Sequence, residues 1–309
     1  MRLAVLNAPR QLDVVEEPVP EPGPGEVLLR VASCGVCASE LDMWEGRGDI
    51  EFPRFPGHEV SGTVERPGPG VSSLAPGDPV AAWVTERGFA EYVTVRAEYC
   101  LPAGGVPLQL ALAEPLACAV NAVELAAPAL GDDVVIVGAG FMGNLVHKLV
   151  QLKGPRQLIV ADTRPDALER AHTLGATRTI DVARESLDGL DADIAFEVTG
   201  VQAGLLAAGG AVRMSGKLVI VGYHQGEPRA IPLGDWNWRA LQLVNAHVRD
   251  VDTIMRGMRA GMRLLTSGRL ALADLVTHRF ALDDVNEAFA VAASKPAGFV
   301  KATVTTLED

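Results

Sequence analysis

Residues 132–154, "DDVVIVGAGFMGNLVHKLVQLKG", constrain the fold more than any other stretch of the chain. A short apolar strand runs into Gly138-x-Gly140-x-x-Gly143, and a helical pattern follows with apolar positions at 141, 142, 145, 146, 149 and 150. Order gives each glycine a task. Gly138 allows a tight turn, Gly140 lets a ligand come close to the main chain, and Gly143 lets the helix pack tightly on the strand. The free N–H groups at the helix start, where Phe141 and Met142 stand, favour an anion such as a pyrophosphate. The next strand run, "QLIVAD", ends in Asp162, at about the 20-residue offset of an acid that takes ribose hydroxyls. Strand, glycines, helix and acid together predict dinucleotide binding.

A carboxylate at Asp162 repels a ribose 2′-phosphate, so NAD is expected in preference to NADP; Arg164, two residues on, could instead pair with such a phosphate. The same texture continues along the chain. The runs "ADIAFEVTG" and "KLVIVGY" alternate with helical patterns, as in a doubly wound parallel sheet. Thr199, Val221 and Tyr223 follow such strands at their C-terminal ends, where ligands sit in these sheets, and complete the coenzyme-binding candidates. Residues 1 to about 110 read differently, with short β-like runs such as "EVLLRV" and "AEYVTV" between Pro/Gly-rich turns. Beyond residue 250, Ile254, Met258, Met262 and Leu265 have helical spacing and "GFVKATVT" returns to strand. The expected organisation is an α/β fold, with 1–115 and 250–309 forming a β-rich domain and 116–249 a dinucleotide-binding domain.

The net charge of -12 offers no basic footprint, so neither nucleic acid nor an anionic membrane is expected as a partner. No segment reads as a signal peptide or a membrane span. The four cysteines are too few and irregular for a disulfide framework, and a cytoplasmic, reducing setting is expected. Cys34 and Cys37 form a Cys-x-x-Cys, but they follow a strand, not the helix start that a redox pair needs. A structural zinc needs a second such pair, which Cys100 and Cys118 do not supply.

A catalytic zinc takes three ligands from Cys, His and Asp/Glu. Cys37 and His58 with either Glu59 or Glu114 supply that set. The segments "GEVLLRVASCGVCASELD", "FPGHEVSGTV", "GGVPLQLALAEPLACAVNAVE", "VVIVGAGFMG" and "FVKATV" resemble, in order and over nearly the whole chain, the zinc-dependent medium-chain dehydrogenase/reductase family. The likeness is greatest to its alcohol, sorbitol and threonine dehydrogenase branches. The resemblance implies a GroES-like catalytic domain, a Rossmann coenzyme domain and one catalytic Zn2+. Cys37 matches the first zinc ligand and His58 the second. Glu59 is similar to an acid that binds the metal or exchanges onto it, and Glu114 stands where polyol dehydrogenases carry a glutamate.

Ser39 matches the hydroxyl that takes the substrate proton while a hydride passes between NAD(H) and a secondary alcohol or ketone. The implied substrate is a sugar, polyol, cyclitol or amino-hydroxy acid. The chain departs from the family in two places. "AAWVTERGFAEYVTV" lacks the four-cysteine lobe, so no structural zinc is expected, as in a short subgroup of the family that shares "VGYHQ" and "WNW". Asp42 stands where many members have a proton-passing histidine. Trp236 and Trp238 are expected to pack. They precede "ALQLVNA", similar to an edge strand that joins coenzyme domains in a homodimer or homotetramer. The competing readings are a zinc-free NADPH-dependent quinone or enoyl reductase and a catalytically silent dinucleotide-binding protein. His147, His172, His247 and His278 read as structural or surface residues, and Cys100 and Cys118 as small buried ones.

Overall fold

The structure is a computed structural model that describes residues 1–306; the last three residues of the expected 250–309 segment lie outside it. The chain forms two compact units, Met1–Ala117 with Met258–Asp309, and Cys118–Gly257.

The first unit begins with a hairpin of β1 (Arg2–Ala8) and β2 (Gln11–Glu16), then β3 (Glu26–Gly35), α1 (Ala38–Trp44), β4 (Glu59–Pro67), β5 (Pro79–Trp83), β6 (Tyr92–Arg96) and β7 (Cys100–Pro102). Helix α2 (Ala113–Ala126) carries the chain across the unit boundary. In the second unit β8 (Asp133–Val137), α3 (Phe141–Gln151), β9 (Gln157–Asp162), α4 (Pro165–Thr173) and β10 (Arg178–Asp181) are followed by β11 (Ala192–Glu197), α5 (Gln202–Ala211) and β12 (Val212–Ile220). Next come α6 (Leu233–Trp238), β13 (Gln242–Asn245) and α7 (Val251–Thr266), which crosses back; β14 (His278–Ala281), α8 (Val285–Ser294) and β15 (Ala302–Thr305) close the chain.

The first unit's main sheet runs β14-β15-β3-β4-β5-β7, with β6 also pairing β3. The late strand β15 pairs antiparallel with β3, which is why "GFVKATVT" belongs with the first hundred residues. Helix α8 closes the core from one side. Phe289 meets Phe89 edge-on at 5.5 Å, and Trp44 lies 6.1 Å from the same ring. Asn286 Oδ1 accepts from Trp44 Nε1 at 3.0 Å, so the indole N–H is not left unpaired in the core.

The second unit's sheet is parallel, in the order β10-β9-β8-β11-β12-β13. From β8 the chain winds outward through β9 and β10, then returns to the other side for β11, β12 and β13. The order therefore reverses between β8 and β11, and such a switch point opens a crevice beyond the strand ends. Val137, Glu197 and Ile220 are level in the register, so the segments after all three strands emerge on one edge. Val135, Val137, Ala195, Leu205, Leu218 and Trp236 belong to one buried cluster.

The structure corrects several expectations. Leu108–Ala126 has the length and apolarity of a membrane span, with mean hydropathy 1.3, but 61% of it is buried inside the protein, the pattern of a core helix. Trp236 packs as expected, whereas Trp238 is 81% exposed. Cys100 is buried, but Cys118 is only half-buried.

His147 on α3 is 1% exposed and neither ring nitrogen has a hydrogen-bond partner among the described residues. Burial, helped by Lys148, pushes its pKa down to about 4. The unfolded chain takes up this proton near the ordinary value of about 6.5, so between the two values the unfolded state binds more protons. The stability that neutral His147 allows is complete above the unfolded pKa and is lost as pH falls toward the folded one. Between pH 7.5 and 5 the loss is about 2 kcal/mol. Urea titrations of the wild type and His147→Leu should diverge by that amount at pH 5. Parallel pH profiles would show that this ring is not the cause.

Candidate active site

Strand β3 ends at Gly35 and Cys37 becomes the N-cap residue of α1. This corrects the reading that the Cys-x-x-Cys avoids a helix start. Cys34 lies fully buried in β3, whereas Cys37 is half-buried at the cap. Only one of the two thiols is therefore available. Ser39, in the first helical turn, donates from Oγ to Cys37 Sγ at 3.2 Å.

Across the sheet, β4 opens with Glu59, directly preceded by His58. One ligand atom each from Cys37, His58 and Glu59 lie within 4.8 Å of one another. Glu40, buried on α1, fixes the histidine: its Oε1 accepts from Gly57 N at 2.6 Å and lies 3.1 Å from His58 Nδ1. A carboxylate on Nδ1 sets the tautomer and leaves Nε2 to face a metal. Burial works against the charge on His58, but Glu40 and Cys37 outweigh it and hold its pKa well above the histidine range in the metal-free protein. Burial likewise opposes ionisation of Glu40, yet His58 and the Gly57 and Cys37 N–H groups keep it below the usual carboxylate value. Glu40→Gln keeps the shape and removes the charge that orients and polarises the imidazole. Zinc affinity should fall about 10- to 100-fold, measured by competition with a chelator dye; an unchanged value would reduce Glu40 to a helix-capping role.

Glu59 is 2% exposed. Its Oε1 accepts from Lys301 Nζ at 2.7 Å, while Oε2 is buried without a hydrogen-bond partner among the described residues. Such an orphaned carboxylate oxygen needs a cation or a donor. Thiol, imidazole and carboxylate together are a donor set that zinc accepts in catalytic sites, with a fourth position for substrate. The residues therefore fit a zinc ion. Glu114, on the first turn of α2, is not among the converging ligands. Burial and the Glu59 charge push its pKa up to about 7, against His58 and Lys301. Asp42 forms an ion pair with Arg47 at 3.1 Å.

In the second unit the glycine turn has the geometry a dinucleotide needs. Gly140 caps α3, and a Cβ there would meet nothing within 4 Å, which leaves open space beside the helix start. Gly138, Phe141, Met142 and Gly143 line the same turn from β8 into α3. Asp162 ends β9, and its Oδ2 accepts from Ala139 N at 2.7 Å, which ties the acid to the glycine loop. Its Oδ1 accepts from Arg164 N at 2.9 Å and lies 3.3 Å from Arg164 Nε. At the neighbouring strand ends, Val221 N donates to Glu197 O, and Thr199 N donates to Glu197 Oε1 at 2.7 Å. The other Glu197 oxygen lies 2.8 Å from His224 Nε2. Tyr223 stacks on His247 at 5.7 Å.

Glu40, Lys301 and Glu197 are the site residues that sequence reasoning missed. Cys37-x-x-Glu40 has the spacing of a capping box, and a lysine inside the buried strand run "FVKATV" calls for a partner; both signals were legible.

Comparison with known proteins places this geometry. Residues 23–105 match the alcohol dehydrogenase GroES-like domain. The chain is 34% identical to the sorbitol dehydrogenase of Gallus gallus over 336 aligned positions, which cover 92% of this chain and 91% of that protein. The 2R,3R-butanediol dehydrogenase from Bacillus subtilis has a TM-score of 0.86 at 25% identity, over 99% of both chains. The galactitol-1-phosphate dehydrogenase from Escherichia coli has a TM-score of 0.89 over 99% of this chain and 100% of that one, at 23% identity, which speaks for the fold alone. The chain belongs to the zinc-dependent medium-chain dehydrogenase/reductase family and is an oxidoreductase of its polyol and alcohol dehydrogenase kind.

Proposed function

We propose that this chain interconverts a secondary alcohol and its ketone, using one catalytic zinc and NAD(H), with the alcohol on a sugar, polyol, cyclitol or amino-hydroxy acid. The observation that carries this reading is the convergence of Cys37, His58 and Glu59 within 4.8 Å. These three residues would hold the zinc. When bound, the ion would supply a Lewis acid that lowers the pKa of the substrate hydroxyl, and NAD would supply the hydride acceptor. Ser39 gives its own hydrogen to the Cys37 sulfur, so its oxygen lone pairs would accept a hydrogen bond from the substrate hydroxyl. Glu40 holds the His58 ring still while charge develops beside it. A cytoplasmic, reducing setting would keep Cys37 available as a thiolate ligand.

NAD is favoured because Asp162 is fixed against the glycine loop, where its charge repels a 2′-phosphate, and because Arg164 is engaged by that same carboxylate. For assembly, Leu243 on the edge strand β13 is 45% exposed, with Met214 at 60% and Trp238 at 81% on neighbouring segments. This apolar edge supports a homodimer or homotetramer, which sedimentation equilibrium would measure.

The test is NADH formation across a panel of polyols, cyclitols, sugars and amino-hydroxy acids, with zinc content determined on the same protein. Turnover that survives removal of zinc would sink the mechanism, and a higher kcat/KM with NADP than with NAD would sink the coenzyme assignment.

A further inference from the structure

Lys301 is 4% exposed, a burial that lysine rarely reaches unless paired. Its Nζ donates to Val36 O at 2.8 Å and to Glu59 Oε1 at 2.7 Å. Three strands build this pair. Thr303 of β15 stands opposite Gly35 of β3, and Gly35 stands opposite Glu59 of β4, so all three project from one sheet face. Lys301, two residues before Thr303, reaches Glu59 along that face. Gly35 makes the room: a Cβ there would lie 2.0 Å from Glu59 Oε2 and 3.0 Å from Lys301 Cε. The carboxylate is thereby divided, one oxygen on the ammonium and the other left without a hydrogen-bond partner among the described residues.

We infer that Lys301 is a built-in counter-charge that stands in for the metal on Glu59 in the zinc-free protein and weakens the hold of the site on zinc. The inference rests on the zinc reading above. A buried carboxylate without a partner is strongly destabilising, and Lys301 removes that cost from the zinc-free state. Zinc bound at Glu59 places a second positive charge on the carboxylate that Lys301 already holds, so the attraction between Lys301 and Glu59 is weaker in the loaded state. Two cations that compete for one carboxylate oppose each other's binding, and the antagonism is reciprocal. A neutral side chain at 301 should therefore raise the free energy of the zinc-free protein more than that of the loaded one.

The experiment compares the full-length wild type with K301M, K301Q and K301R. It measures the zinc dissociation constant by competition with a chelator dye and the Tm of the zinc-free protein. K301M and K301Q should bind zinc at least about tenfold tighter, with a lower zinc-free Tm and a larger rise in Tm on adding zinc. K301R keeps the charge and should stay within about threefold of the wild type. K301Q can still hydrogen-bond Glu59, which carries the measurement if K301M does not fold. Neutral variants that fold only with zinc give the same answer, because the ion replaces the missing charge.

Unchanged or weaker zinc binding in both neutral variants overturns the inference. So does failure of both to fold even with zinc. C37A, measured alongside, separates the two levels. A wild type that binds zinc no better than C37A refutes the zinc reading itself, whereas Cys37-dependent binding with a flat series at 301 refutes only the role of Lys301.

Discussion

Cys37→Ala is expected to remove bound zinc and to lower kcat/KM for the alcohol at least about a thousandfold, while the affinity for NADH stays within about threefold of the wild type. The Cys37 sulfur is one of three ligand atoms that lie within 4.8 Å of one another. Without it, two remain, and each has another partner: His58 holds Glu40, and Glu59 holds Lys301. The Lys301 contact competes with a weakly bound ion, whereas the Glu40 contact only orients the imidazole. Coenzyme affinity should survive because Gly138, Gly140, Gly143 and Asp162 belong to the other compact unit. Cys34→Ala supplies the contrast. That thiol is fully buried in the core, and its sulfur donates to the neighbouring Gly35 carbonyl at 3.8 Å. The variant should keep zinc and turnover and lose about 1 kcal/mol of stability from the lost packing. Metal analysis and NADH fluorescence titration of both variants decide the matter. A Cys37→Ala protein that keeps zinc and normal turnover would place the chemistry elsewhere.

The parts legible in the sequence are those whose cause is local. The strand, glycines, helix and acid of the coenzyme turn lie within one βαβ unit, and the structure places them in that order. His58 and Cys37 were legible as types in a motif. That Glu59 and not Glu114 converges with Cys37 and His58 was not, and neither was the Lys301 partner of Glu59, 242 residues away along the chain. No spacing rule reaches that far; only the pairing of β15 with β3 brings the lysine in. Helix α1 was missed because its seven residues are too few to show a periodicity. Cys37 therefore seemed to follow a strand when it caps a helix. The high exposure of Trp238 has a related cause, since pattern reading assigns an aromatic to a core without knowing which face a short helix turns inward.

Gly143→Ala is expected to weaken NADH binding at least about a hundredfold while leaving zinc in place. A Cβ at this position would lie 1.8 Å from Gly138 O and 2.9 Å from Gly138 C. Both are backbone atoms, so the strain cannot be relieved by turning a side chain. Helix α3 must separate from β8, or the turn at Gly138 must open. Either movement redirects the N–H groups at the helix start, which hold a pyrophosphate only if they converge on it. Overpacking of this kind also destabilises the unit by about 1–3 kcal/mol, so Gly140→Ala serves as the companion variant. A methyl group there meets nothing in the protein itself. Its stability should therefore stay near that of the wild type, while NADH binding falls, because the methyl fills space that the pyrophosphate approaches. Loss of binding in both variants, with loss of stability in only one, identifies the loop as the coenzyme seat. Full NADH affinity in Gly140→Ala would show that the pyrophosphate lies elsewhere.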